Sequence, residues 1–327
     1  MRPLVTGAAG FIGSAIVRGL IARGYHPRAL VRSDSNRRAL RGLDIEIAMG
    51  DIRDQGSVER ALAGCDTIFH AAADYRLWVP DPATMESINV EGTRTVIEAA
   101  RRHGIDRVVH TSSVGTLGIP GNGTPGTEET PVTIADMTGP YKRSKFLAEK
   151  IARDAASQGV PVVIVHPSTP VGPFDVRPTP TGKMIVDFMR GRMPAFLDTG
   201  LNIVDVDDCA EGHILAAERG VIGRSYILGG ENLTLREIFA ILSPRCGIPA
   251  PRIKLPHAPV LLLARIMDLI SRFTGREPFI PLDGVRMART RMFFSSRRAE
   301  EELSYRHRPA RDALWRAVDW FRAEGYA

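Results

Sequence analysis

The chain has 327 residues, 44% hydrophobic and 24% charged, a composition typical of a globular protein large enough for one α/β unit and a smaller lobe. No segment approaches the roughly 18 uncharged apolar residues of a membrane span, and the first residues do not resemble a signal peptide. The net charge of +6 comes mostly from arginines scattered among acidic residues, so we expect no nucleic-acid partner. The widely spaced Cys65, Cys209 and Cys246 match no metal or redox motif, so we expect no metal and a cytoplasmic location.

A glycine-rich turn follows the first apolar segment of the chain, at 2–6. Glycines at 7, 10 and 13 let the backbone turn tightly and let a pyrophosphate approach the helix that follows. The free N–H groups and the dipole of that helix favour the negative charge. The turn therefore predicts a dinucleotide site that includes Gly7, Gly10, Phe11, Ile12 and Gly13. The alternative is a glycine-rich turn without a ligand.

Short apolar runs alternate with helical patterns through the first half of the chain, which is typical of a parallel sheet covered by helices on both faces. We predict strands at 2–6, 27–31, 45–48, 67–70, 107–111 and 160–165, and helices at 11–23, 57–63, 83–103 and 139–158. Such a doubly wound α/β sheet, a Rossmann fold, binds its ligand at the carboxyl ends of the strands. We expect this domain at 1–173, completed by strands near 203–206 and 225–228, and a smaller substrate-binding lobe mainly at 174–327.

The most apolar helical pattern of the second half lies at 258–273, where Leu261, Leu262 and Leu263 stand in a row. We predict a buried helix of the smaller lobe. The alternative is a helix that contacts a lipid-like substrate or a membrane surface.

Tyr141 and Lys145 stand four residues apart in a predicted helix, so both side chains lie on one face. A phenol with a pKa near 10 transfers protons well at neutral pH only when nearby cations favour the phenolate. Lys145 and a positively charged nicotinamide supply such cations. Ser113 follows a predicted strand whose carboxyl end faces the cleft, where its hydroxyl can hold a substrate oxygen. The alternatives are a surface Tyr/Lys pair and simple turn chemistry at Ser112 and Ser113.

Six motifs occur in a fixed order: Thr6-Gly7-x-x-Gly10-Phe11-x-Gly13, Gly50-Asp51, His70-Ala71-Ala72-Ala73, Asn89-Val90-x-Gly92-Thr93, Thr111-Ser112-Ser113 and Tyr141-x-x-x-Lys145. Through them the whole chain resembles an extended short-chain dehydrogenase/reductase. The segments 73–78, 178–182 and 228–234 are similar to those of bacterial hopanoid-associated sugar epimerases and dihydroflavonol 4-reductase-like proteins. The resemblance implies an enzyme in which Ser113, Tyr141 and Lys145 are catalytic.

The residue that ends the second strand of this fold lies near the adenosine ribose, where an acid binds NAD and an arginine accommodates the 2′-phosphate of NADP. Arg32 takes this position, and Arg37 and Arg38 follow it. The sequence therefore favours NADP(H), while Asp34 leaves NAD as the alternative. The resemblance adds further cofactor-site residues, namely Asp51, Ile52, Ala71, Ala72, Ala73, Thr111, Tyr141, Lys145 and Pro167.

Residues on the substrate side distinguish a reductase from a sugar epimerase. In the epimerases that the chain resembles, an asparagine after the sixth strand and an arginine of the smaller lobe contact substrate phosphates. Thr169 and Leu201 stand at these positions, so a charge-assisted phosphate contact is missing. We therefore expect hydride transfer to or from a carbonyl or hydroxyl carbon of a small non-nucleotide substrate, with an isoprenoid-related (hopanoid) compound as a candidate.

Two other functions stay open at this point. One is a nucleotide-sugar epimerase or dehydratase linked to hopanoid synthesis, with Arg76 or Arg177 in place of the missing phosphate contact. The other is a non-catalytic dinucleotide sensor, which has no need of the Ser113, Tyr141 and Lys145 relay. We expect no membrane span, keep peripheral lipid contact as an option, and leave the oligomer between a monomer and a homodimer.

Overall fold

A computed structural model describes all 327 residues of the protein. The twelve strands are β1 (Pro3–Thr6), β2 (Arg28–Val31), β3 (Glu46–Met49), β4 (Thr67–His70), β5 (Arg107–Thr111), β6 (Val162–Pro167), β7 (Thr169–Val171), β8 (Ala195–Leu197), β9 (Gly200–Asp205), β10 (Ser225–Leu228), β11 (Glu231–Thr234) and β12 (Ile253–Leu255). The twelve α-helices are α1 (Phe11–Ala22), α2 (Gln55–Leu62), α3 (Pro82–Glu86), α4 (Gly92–Arg102), α5 (Gly139–Ser157), α6 (Pro180–Met189), α7 (Val206–Arg219), α8 (Leu235–Cys246), α9 (His257–Thr274), α10 (Leu282–Met287), α11 (Arg297–Glu302) and α12 (Ala310–Ala323).

Seven parallel strands form the main sheet in the order β10-β6-β5-β4-β1-β2-β3, which confirms the predicted doubly wound fold. Side chains alternate across the central strands, because successive residues of a strand point to opposite faces. Val5, Phe69 and Val109 pack into the layer that holds α1 and α7. Their neighbours Leu4 and Ile68 pack into the opposite layer, which holds α2, α4 and α5. Both faces of the sheet are therefore buried.

The two late strands that the sequence predicts belong to different sheets. Ser225–Leu228 joins the main sheet as β10, beside β6, as predicted. The prediction that a strand near 203–206 also completes this sheet is wrong. It belongs to β9, which pairs with β7 and β11 in a separate three-stranded sheet. Ile203 of β9 packs against the apolar core of α6, α8 and α12, whereas its neighbour Val204 packs into the core around α1 and α7, so the strand lies between the two cores.

Helix α9 departs from the prediction of a buried helix. Only Ala264 and Ser271 of its eighteen residues are buried. The helix packs on one side against Leu282 and Val285 of α10, and no second layer covers its other side. None of the helices combines the length and the apolar character that crossing a membrane requires.

Candidate active site

The glycine turn between β1 and α1 forms a close-packed cradle. Gly7 has a φ of +67°, and a Cβ atom at this position would lie 2.7 Å from the backbone of Ala72. A Cβ atom on Gly13 would lie 2.2 Å from the Gly7 carbonyl oxygen. Helix α1 has Gly10 as its N-cap without a side-chain cap, so its first amides are available to an anion. These features fit the pyrophosphate of a dinucleotide, as the sequence predicts.

The predicted catalytic residues lie on adjacent elements at the carboxyl end of the sheet. Tyr141 and Lys145 are one turn apart on α5, which begins at Gly139 with Pro140 in its first turn. Ser113 directly follows β5, and its hydroxyl accepts a 3.0 Å hydrogen bond from the Gly115 N–H. Burial raises the pKa of the Tyr141 phenol, and a hydrogen bond with Ser113 opposes this rise. The structure therefore brings the predicted serine and tyrosine together.

Lys145 is buried beneath the same site. Its ammonium group donates a 2.6 Å hydrogen bond to the main-chain carbonyl of Thr111, the last residue of β5. Burial lowers the pKa of Lys145 to about 8, while the charge of Glu149 acts in the opposite direction. The Thr111 hydroxyl is held in turn by Nε2 of His213 at 3.1 Å. Lys145 is thus a cation held in place at the base of the site and close to titration.

Glu149 is a site residue that the sequence analysis missed. One of its oxygens accepts hydrogen bonds from the hydroxyls of Ser112, at 2.6 Å, and Thr116, at 2.7 Å, and lies 3.0 Å from Nε2 of His166. The other accepts from Arg153 at 2.8 Å. Burial raises the pKa of Glu149, but these cationic and hydrogen-bonding partners lower it well below its usual value. The spacing of four residues from Lys145, on the same helix face, is the signal that could have identified it.

A second buried network joins the glycine turn to α5. Nδ1 of His70 lies 2.8 Å from the hydroxyl of Thr6, and Nε2 lies 3.0 Å from the hydroxyl of Thr93. Burial lowers the pKa of His70 to about 3, so the ring is neutral. Asn89 donates to the hydroxyl of Ser144 and to the carbonyl of Asp74, both at 2.9 Å. Asn89 lies in a π-helical turn, Ser87–Glu91, between α3 and α4, a distortion that is frequent at functional sites.

The predicted ribose-phosphate residues have different surroundings. Arg32 is half exposed after β2 and pairs with Asp34 at 3.1 Å. Arg37 contacts the sulfur of Met49 at 3.0 Å. Arg38 forms an ion pair with Glu324 beyond the end of α12, so a cofactor phosphate would compete with that carboxylate. Arg32 is therefore the arginine whose position at the end of β2 matches the prediction best.

The other predicted cofactor residues line the same edge of the sheet. Asp51 follows β3 and forms a 2.7 Å ion pair with Arg53, whose hydrogen bonds lower the pKa of Asp51 although burial opposes this. The buried Ile52 packs against Gly92 at the start of α4. The half-buried Ala71, Ala72 and Ala73 follow β4 beside Gly7, and Pro167 ends β6.

Ser168 follows Pro167, and its buried hydroxyl has no hydrogen-bond partner. A buried polar group normally has a partner, so this hydroxyl is an exception in the fold. Thr169 begins β7, where it pairs with Ile203.

The substrate side of the site has an apolar residue where a phosphate contact would stand. Leu201 pairs with Leu233 on β11 and packs between two apolar clusters of the smaller lobe. Arg76 is engaged in an ion pair with Asp74. Arg177 is exposed, and its carbonyl oxygen lies 3.5 Å from the Tyr75 hydroxyl.

Comparison with known proteins agrees with this geometry. The model of the NAD dependent epimerase/dehydratase family matches residues 3–229. A Synechocystis protein that carries the name of dihydroflavonol 4-reductase is 42% identical over 326 residues, which cover 98% of this chain and 95% of that protein. Sterol demethylase protein B of Methylococcus capsulatus is 36% identical and covers 99% of both chains. A 4-hydroxy-2-methyl-3-oxo-4-farnesyl-3,4-dihydroquinoline-1-oxide ketoreductase of Stigmatella aurantiaca is 30% identical over 97% of this chain and 96% of its own length.

The chain is also similar to solved structures over its whole length. The crystal structure of gox2253 superposes with a TM-score of 0.89 at 47% identity, covering 99% of both chains. The dTDP-glucose 4,6-dehydratase DesIV of Streptomyces venezuelae, with NAD bound, superposes with a TM-score of 0.78 at 27% identity and covers 100% of both chains. The chain is therefore an enzyme that belongs to the NAD dependent epimerase/dehydratase family of extended short-chain dehydrogenases/reductases, and it has the Rossmann-like parallel sheet of that family.

Proposed function

We propose that this enzyme is an NADP(H)-dependent reductase or dehydrogenase that acts on a carbonyl or hydroxyl carbon of an apolar, non-nucleotide small molecule. The observation that carries the proposal is the apolar environment of Leu201. A nucleotide diphosphate brings two negative charges. Burying these charges without a cationic partner raises the free energy of the complex. The free energy of binding therefore favours a substrate without a diphosphate.

Ser113, Tyr141 and Lys145 carry out the proton transfer in this proposal. Ser113 and Tyr141 hold the substrate oxygen by hydrogen bonds. Tyr141 donates its phenolic proton to that oxygen during reduction and takes a proton from the hydroxyl during oxidation. When bound, NADP(H) supplies or accepts the hydride at the carbon, so a carbonyl, a hydride and a proton give the alcohol.

Lys145 stabilises the phenolate that Tyr141 leaves when it has donated its proton. The Thr111 carbonyl holds the ammonium group at 2.6 Å and thereby orients it. A cation that is already oriented stabilises developing charge without a cost in reorganisation. Thr111 is therefore a positioning residue in this proposal.

The names of the relatives support an apolar substrate. Flavonol, sterol and farnesyl-quinoline chemistry appear in the names of the three relatives, and none of these compounds is a nucleotide. We extend this to an isoprenoid-related substrate, of the hopanoid or sterol class. NADP is the preferred cofactor in the proposal because Arg32 directly follows β2.

Calorimetric titration of UDP, dTDP and their common sugars into the NADP-loaded enzyme tests the substrate class. We expect no saturable heat from these nucleotides and NADPH oxidation with apolar ketones. Saturable binding of UDP or dTDP would contradict the proposal and favour a nucleotide-sugar epimerase or dehydratase.

The Tyr141→Phe variant tests whether the site is catalytic. We expect turnover to fall by a factor of roughly 10² to 10⁴, with cofactor affinity preserved, because only the transferred proton is lost. Tyr25→Phe is the matched control, since Tyr25 lies in the turn after α1, away from α5. Equal turnover in both variants would favour a non-catalytic dinucleotide sensor.

A further inference from the structure

The segment from β12 through the loop after α9 exposes an unusual amount of apolar surface. The protein exposes fourteen large hydrophobic side chains, and nine of them belong to this segment. These nine are Ile253, Leu255, Leu262, Leu263, Ile266, Leu269, Ile270, Phe273 and Phe279. Contiguous apolar surface of this kind marks an interaction site, whereas single exposed side chains do not.

Six of these side chains form one face of α9, which we call the α9 face: Leu262, Leu263, Ile266, Leu269, Ile270 and Phe273. Their spacing of three or four residues places them along one side of the helix. The buried residues Ala264 and Ser271 lie on the opposite side, toward α10. Phe273 is 85% exposed and Leu269 is 57% exposed. The helix thus packs with a narrow side and presents its most apolar side outward.

Positive charge is concentrated in the segment of chain that carries the α9 face. Residues 251–291 contain eight Lys or Arg and three Asp or Glu, a net charge of +5, whereas the whole chain carries +6. Arg265 and Arg272 lie at one edge of the face, and the exposed Arg276 follows the helix. Of these three, only Arg272 has an ion-pair partner, Asp268, at 3.0 Å. The apolar face is therefore bordered by cations.

We infer that the α9 face docks on an anionic phospholipid bilayer. A bilayer surface offers an apolar layer and negatively charged headgroups side by side, which matches an apolar helix face with cations at its edge. A second copy of the chain would match the apolar side chains, but it would bring two strongly positive segments together. Charge complementarity therefore favours the lipid surface.

The elements that follow α9 connect it to the rest of the smaller lobe and to the helix that carries Tyr141. Phe279, in the loop after α9, has its ring 5.5 Å from Nζ of Lys183 on α6. Asp283 of α10 lies against Gly139, the first residue of the helix that carries Tyr141. Helix α10 thus lies between α9 and the start of the helix that carries Tyr141, so docking through α9 holds the site near the lipid surface, where an apolar substrate is concentrated. This consequence rests on the proposed function, whereas the docking itself does not.

Flotation of the full-length protein with vesicles tests the inference without any activity measurement. We expect the protein to float with vesicles of phosphatidylcholine and phosphatidylglycerol and to float weakly with phosphatidylcholine alone. In Leu269→Ser/Phe273→Ser we expect the partition coefficient to fall by about tenfold or more, because each lost methylene weakens insertion. Val221→Ser/Ile222→Ser removes two exposed apolar side chains outside this segment and should leave the partition coefficient unchanged.

Arg265→Ser/Arg276→Ser tests the contribution of charge, with Arg94→Ser/Arg101→Ser on α4 as the control. We expect only the first pair to reduce flotation with the anionic vesicles, and added salt to reduce the wild-type signal. All substituted side chains are exposed, so melting temperatures should not change. Flotation that the α9 variants do not reduce would overturn the inference. So would a dimer in sedimentation that Leu269→Ser/Phe273→Ser dissociates while the wild type binds no vesicle.

Discussion

The ammonium group of Lys145 donates a 2.6 Å hydrogen bond to the main-chain carbonyl of Thr111. This contact joins the middle of α5 to the carboxyl end of β5, although the two residues are 34 positions apart. The same turn of chain that carries Ser113 is thereby tied to the helix that carries Tyr141. The relative position of the three proposed catalytic groups is set by a buried charge rather than by apolar packing alone.

The pKa of Lys145, about 8, predicts a pH dependence of the reaction. Below this value Lys145 is charged and stabilises the Tyr141 phenolate. We expect kcat/KM for reduction to fall as the pH rises through about 8. In Lys145→Met the rate should be lower, and this inflection should be absent. Lys150→Met, on the exposed side of α5, should keep the wild-type profile, and a persisting inflection in Lys145→Met would assign it to another group.

The lowered pKa of Lys145 also makes the stability of the fold depend on pH. The pKa of Lys145 is about 8 in the folded protein against 10.5 in the unfolded chain. Between these values the unfolded chain binds more protons, so the contribution of Lys145 to stability rises with pH in that window. Urea unfolding of the wild type and of Lys145→Met at several pH values measures this difference. A contribution that falls with pH between 8 and 10.5 would contradict the burial of the ammonium group.

Glu149→Gln should destabilise the fold. The buried carboxylate forms hydrogen bonds with Ser112, Thr116, His166 and Arg153. Removing its charge leaves these partners unsatisfied, which should lower the free energy of unfolding by about 3 kcal/mol. Glu98→Gln, on the exposed side of α4, is the matched control and should cost less than about 0.5 kcal/mol. Denaturant unfolding gives both values, and equal losses would show that the network does not stabilise the protein.

The lowered pKa of Glu149 determines how its contribution to stability depends on pH. Its pKa is lower in the folded protein than the 4.5 of the unfolded chain. The stabilisation is therefore fully present above pH 4.5 and is lost as the pH falls through the folded value. We expect the difference in melting temperature between the wild type and Glu149→Gln to shrink under acid. A difference that stays constant would indicate a purely steric effect.

Arg32→Ser should change cofactor preference. Loss of a charged contact to the 2′-phosphate should lower the ratio of kcat/KM for NADPH to that for NADH by roughly tenfold or more. Arg38→Ser is the control, because Arg38 is already paired with Glu324. Steady-state kinetics with both cofactors measure the ratio. An unchanged ratio in Arg32→Ser would remove the basis for preferring NADP.

Gly7→Ala should abolish cofactor binding and destabilise the protein. Its positive φ strains an alanine by about 1–2 kcal/mol, and the added methyl group also meets the Ala72 backbone at 2.7 Å. Gly24→Ala is the control, since Gly24 has a φ of +78° but open space around it. It should show only the strain and keep full cofactor affinity. Cofactor fluorescence and urea unfolding separate the two effects, and similar results for both variants would contradict the cradle.

The sequence by itself determines the features that depend on local spacing. Gly7, Gly10 and Gly13 mark the turn because only glycine accommodates its close approaches. Tyr141 and Lys145 share a helix face because of the helical repeat. The sequence predicts all seven strands of the parallel sheet from short apolar runs, and it wrongly adds an eighth, near 203–206, that pairs elsewhere.

Only the tertiary structure decides contacts between distant segments. Ser112 and Glu149 are 37 residues apart, and Arg38 meets Glu324 across 286 residues. The sequence pattern of β9 suits either sheet, and only the structure shows that it pairs with β7 and β11. Helix α9 is apolar enough to be buried, but burial needs a second surface, and no other element of the chain covers its outer side. Its exposure could not be predicted, because periodicity describes one helix and not what lies against it.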